Sequence, residues 1–107
     1  MNVKKIKLIT DTIWNQINLV TKAECNLSIQ ATGAHPKTDR AFLMMHAGFD
    51  DCDYICITYT PSDLYDIQKF WQPNKKSSLR MMQEEKAVSA CHLDIVIYSL
   101  LNLEEVA

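Results

Sequence analysis

Thr60-Pro61-Ser62-Asp63-Leu64-Tyr65-Asp66-Ile67-Gln68-Lys69-Phe70-Trp71-Gln72-Pro73, residues 60–73, carries a helix start signal and a helix stop signal. Thr60 is placed to cap. Pro61 takes the first helical position, where its missing N–H costs nothing, and Asp63 falls at the third. Leu64, Ile67, Phe70 and Trp71 then recur at the spacing of one helical face, and Pro73 ends the run. The stretch therefore predicts a helix that closes a preceding set of strands.

Those strands are read by working toward the N-terminus. Tyr54–Tyr59 is rich in β-formers and apolar on both sides. Gly48-Phe49-Asp50-Asp51 reads as a turn. In Ala41–Ala47, Phe42, Met44 and His46 point one way, Leu43 and Met45 the other. Gly33 and Pro36 break the chain within a loop from Thr32 to Asp39. From Glu24 to Ala31, Cys25, Leu27, Ile29 and Ala31 alternate with polar residues, the pattern of a half-buried antiparallel strand. Before it, Ile6, Ile9, Ile13, Ile17 and Val20 form a helical stripe flanked by Trp14. Three lysines near its start oppose the helix dipole, so its first turn is left open between the N-terminus and Thr10 or Asp11.

Toward the C-terminus, Gln72–Ser77 is a loop, and Ser77 or Ser78 can cap a last helix from Leu79 to Glu104. Its stripe runs through Val88, Cys91, His92, Ile95, Ser99 and Leu103, with Met82, Leu93, Val96 and Leu100 beside it. The three β-branched residues Ile95-Val96-Ile97 keep an alternative open: a helix to Ala90 and a fourth strand from Leu93 to Ser99. The expected fold is α+β. An N-terminal helix comes first, then a three-stranded antiparallel meander with Ala41–Ala47 in the middle, then two C-terminal helices.

The length of 107 residues fits a single domain, and 48% hydrophobic with 22% charged residues is globular, not disordered. The basic start is interrupted at Thr10-Asp11-Thr12 before an export-signal core forms, and no apolar run nears the about 20 residues of a membrane span. The expected setting is the cytoplasm, with four cysteines (25, 52, 56 and 91) as reduced thiols. A net charge of −2 lacks the basic footprint of a nucleic-acid binder. The one basic cluster, Lys75, Lys76 and Arg80, reads as a solvated loop.

Candidate chemistry is sparse. Cys52, Cys56, Cys91 and His92 have donor atoms for zinc, but their spacing lacks the paired knuckles of structural sites, so no metal is expected. The turn Asp50–Asp53 holds three carboxylates without the Gly and Glu of a calcium loop. Cys91 and His92, neighbours on a helix, point about 100° apart and make a poor nucleophile–base pair. With Gly33 and Gly48 the only glycines, no phosphate loop exists.

The expected function is a small protein-binding module without catalysis or cofactor, of inhibitor, immunity, antitoxin or adaptor kind. Its partner is another protein or a second copy. Three helices leave part of such a sheet uncovered, and Phe70 and Trp71, rimmed by Asp63 and Asp66, are the proposed anchors. The alternative is a small enzyme or ligand-binding domain with a site around His46, Cys91, His92 or the Asp50–Asp53 turn.

Overall fold

The computed structural model describes residues 1–49 and 52–102. Helix α1, Val3–Gln16, starts on Asn2, whose side chain accepts the Lys5 N–H at 2.8 Å. A turn at Ile17 leads to a short helix α2, Leu19–Glu24, capped by Asn18. Five strands follow: β1 Ser28–Ala34, β2 Ala41–Ala47, β3 Asp53–Tyr59, β4 Tyr65–Trp71 and β5 Arg80–Val88. A 3₁₀ turn at Ala90–His92 and helix α3, Leu93–Leu100, complete the described chain. The strands form one antiparallel sheet in sequence order, β1-β2-β3-β4-β5. Among the described residues no helix is long and apolar enough to cross a membrane.

The three-stranded meander with two C-terminal helices is therefore wrong, and residues 60–73 are where the reading fails. They form no helix. Thr60 uses its N–H and its hydroxyl to close a tight turn, both donating to the Leu64 carbonyl at 2.9 Å. Asp63 takes a left-handed φ of 60° there, and its carboxylate accepts the Tyr59 hydroxyl. Pro61 and Asp63, read as the first turn of a helix, are equally good turn residues. Past Leu64, Tyr65 and Ile67 are buried while Asp66 and Gln68 are only partly so, a period of two.

Residues 80–88 were also expected in a helix and are β5. Their Met, Gln, Glu, Lys and Ala content favours helix locally, but pairing with the otherwise bare edge of β4 overrides it. The last helix is confined to Leu93–Leu100, so neither the long helix from Leu79 nor the alternative strand over Leu93–Ser99 forms; Glu104 lies outside the described residues. The strand expected from Glu24 starts at Ser28, because Glu24 belongs to α2. Cys25 and Leu27 are buried, but a bulge between Ile29 and Ala31 breaks the alternation, and Ile29 is left exposed.

The core lies on one face of the sheet. Ile13 of α1, Ile17 in the turn after it, and Leu93, Ile97 and Leu100 of α3 pack with Leu43, Met45, Ala47, Ile55, Ile57, Tyr65, Ile67 and Val88. The Tyr65 hydroxyl donates to Gln16 Oε1 at 2.6 Å, tying β4 to α1. The extents of 37 × 36 × 20 Å match one helix layer on one sheet, since each layer is about 10 Å thick.

Candidate binding face

The register places three rows of side chains on the sheet face away from the helices. Phe42, Thr58 and Asp66 form the first; Met44, Cys56, Gln68 and Glu84 the second; His46, Tyr54, Phe70 and Met81 the third. None of these residues belongs to the core cluster. Phe42, Met44, Tyr54 and Phe70 are partly buried and Met81 is exposed, so the rows combine aromatic and methionine surface with hydrogen-bonding groups. Cys56 and Thr58 are covered by their neighbours. Gln68 Nε2 donates to Glu84 Oε2 at 2.6 Å across the pair β4–β5. His46 meets Tyr54 edge-on, with ring centroids 5.1 Å apart. A Cβ on Gly33 would stand 3.1 Å from the Phe42 ring, so glycine is what lets that ring lie over β1.

Loops bound this face at both ends. At one end, His35 accepts or donates at 3.0 Å to Thr58 Oγ1, and its ring lies 4.9 Å from that of Phe42. The loop closes on itself through His35 N–H to Arg40 O at 3.0 Å and Asp39 N–H to His35 O at 2.8 Å. Between this loop and β4 is a cleft of about 440 Å³ lined by His35, Lys37, Arg40, Thr58, Asp66 and Gln68, among others. At the other end, Gln72 N–H donates to Cys52 O at 2.8 Å and Gln72 Nε2 to Ser77 O at 2.6 Å. A second cleft of about 420 Å³ there is lined by His46, Cys52, Tyr54, Gln72, Asn74 and Lys75, among others.

The residues singled out from sequence scatter over this frame. Phe70 and Asp66 stand on the open face, but Trp71 is on the opposite side of β4, where Arg80 lies 5.9 Å from its ring. The two aromatics are thus 180° apart on a strand, not 100° apart on a helix. Asp63 is in the turn between β3 and β4. Of the alternative site, His46 and Cys52 share the second cleft; Asp50 and Asp51 lie outside the described residues. Cys91 and His92 are elsewhere, exposed on the turn before α3. Ser89 Oγ lies 2.7 Å from His92 Nδ1, whereas Cys91 Sγ is 3.8 Å from it. Among the described residues no three His, Cys, Asp or Glu side chains gather as a metal site would need. Sequence reasoning missed Met44, Tyr54 and Met81 as face residues; the alternation in β2 held the signal for Met44, while Met81 depends on β5 being a strand.

The four thiols differ in exposure: Cys25 and Cys56 are buried, Cys52 is partly buried and Cys91 is exposed. Burial pushes the Cys56 thiol from 9.0 up to about 11. Burial, helped by the charges of Glu24 and Asp94, does the same to Cys25. An unfolded chain would release both protons near pH 9.0, while the folded chain holds them to about 11. Stability from these thiols is therefore fully present below about pH 9 and lost by about 11. Denaturant midpoints measured from pH 8 to 11 should fall in the native protein and fall less in Cys56→Ala. Parallel curves would contradict it. With a thiol reagent at neutral pH, Cys91 should react first and Cys25 and Cys56 only on unfolding.

Two-layer α+β architecture, with α1 and α3 packed on one face of a five-stranded antiparallel sheet, is the class this geometry defines. Comparison with family models, with curated proteins and with solved structures finds no match for the chain.

Proposed function

We propose that this chain is a small intracellular protein-binding module without catalysis, of the inhibitor, immunity, antitoxin or adaptor kind. It receives a partner protein or a second copy on the open sheet face. The supporting observation is that both α1 and α3 pack on the same side of the sheet, so among the described residues no helix covers the aromatic and methionine rows on the other side. Interfaces favour these residue types at their centres and polar groups at their rims. Asp66, Glu84 and the two end loops supply such a rim. The enzyme reading has less support, because His46 stands on the open face while Cys91 and His92 precede the helix that packs on the other.

A rival surface exists on the helix layer, where Leu19, Val20 and Ile95 are 78%, 58% and 60% exposed. Affinity capture from the native cell, read by mass spectrometry, separates the two. A partner retained by the native protein and by Val20→Arg, but lost by Met44→Arg, supports the open face. The reverse pattern assigns binding to the helices.

A further inference from the structure

We infer that the cleft beneath the loop of residues 35–40 is a binding site for a small organic carboxylate that also carries a hydrogen-bond donor. This is the chemistry of a free amino acid or of a peptide C-terminus. The inference does not depend on the open face binding a protein.

The first support is that the cleft is built before any ligand arrives. Its loop is closed by two backbone hydrogen bonds, and His35 is fixed by Thr58 on one side and by the Phe42 ring on the other. A volume of about 440 Å³ lies within the range of small-molecule sites. A ligand entering it orders little protein, which favours affinity.

The second support is charge. Lys37 and Arg40 line the cleft, and among the described residues neither has an ion-pair partner within 4 Å. Asp39, the nearest acid in sequence, has a left-handed φ of 55° and does not line this cleft. It lines a second cleft with Lys5 and Tyr59, which Arg40 also borders, and there it holds the Met1 ammonium at 2.7 Å. Two cations bordering an open cleft, one exposed (Lys37) and one partly buried (Arg40), suit one carboxylate, which a guanidinium can bind through two parallel hydrogen bonds.

The opposite wall has the complementary chemistry. Asp66 is partly buried, and its Oδ1 is engaged by the Ala87 N–H at 3.2 Å, which leaves Oδ2 to accept. Gln68 gives its amide N–H to Glu84, so its carbonyl oxygen can accept. Cations on one wall and acceptors on the other select a ligand with an anion at one end and a donor at the other. A bare anion would meet the Asp66 carboxylate, and a bare cation would meet Lys37 and Arg40.

Amide resonances of the isotope-labelled protein test this directly. Three probe mixtures are titrated: the free amino acids, their N-acetyl forms and their methyl esters. Saturable shifts centred on Lys37, Arg40, Thr58 and Asp66 are expected with at least one of the first two and not with the esters. Response to the N-acetyl forms identifies a peptide terminus as the source; response to the free forms alone identifies an amino acid. Lys37→Gln with Arg40→Gln should weaken binding by about tenfold or more with an unchanged melting temperature, whereas Lys75→Gln at the far loop should not. Shifts absent with both carboxylate mixtures, equal with the esters, or indifferent to the double substitution would overturn the site.

Discussion

Replacing Ile67 with alanine should lower stability by about 2–5 kcal/mol, as for other large-to-small changes at fully buried sites. Ile67 is 0% exposed and sits between Ile57 on β3 and Glu85 on β5, pointing into the helix layer. The removed carbons leave a cavity among Ile57, Tyr65 and the helix side chains, which are held by the same core. Phe70→Ala, three residues on, should cost about 2 kcal/mol or less, because its partly buried ring faces away from that core. Urea midpoints with unchanged slopes give both values. Equal losses at the two positions would place Phe70 in the core and remove the open face from the account.

The second large effect is on association. Met44→Arg puts a long cation in the centre row of the open face, next to Cys56. Phe70→Ala removes an aromatic from the next row. Each should weaken partner binding by about 2 kcal/mol or more, which is about 30-fold, the scale of a central interface anchor. Trp71→Ala, on the other side of β4, should leave association within about threefold, an energy of about 0.7 kcal/mol. Titration calorimetry with the captured partner, or sedimentation if the partner is a second copy, measures the difference. Loss at Trp71 with retention at Phe70 would move the interface to the helix side.

How the chain disclosed its fold follows from where local and long-range signals agree. In Ala41–Ala47 the alternation of Leu43 and Met45 with Phe42 and Met44 matches the observed burial at every position. In residues 60–73 two patterns overlap. Leu64, Ile67 and Phe70 satisfy a helix, and Tyr65, Ile67 and Trp71 a strand, so the outcome rests on whether Thr60 caps a helix or closes a turn. Residues 80–88 hold no strand signal of their own, since Gln83, Glu84, Glu85 and Lys86 are good helix formers and only the bare edge of β4 makes them extend. The open face was legible only as an imbalance between apolar strands and available helices. Once β4 and β5 are strands, α1 and the eight-residue α3 pack on a sheet of five strands instead of three, and the imbalance grows. The carboxylate cleft was not legible, because it depends on His35 folding back onto Thr58, 23 residues away.

Oxidative footprinting of the protein in its native complex tests most directly that the open face is the binding surface. Methionine and aromatic side chains report on both sides of the sheet in one measurement. With the partner on the open face, Met44, Tyr54, Phe70 and Met81 become protected relative to the free protein, while Met82 and Trp14 keep their reactivity. Protection confined to Trp14 and the helix layer, with Met44 and Met81 unchanged, would contradict it.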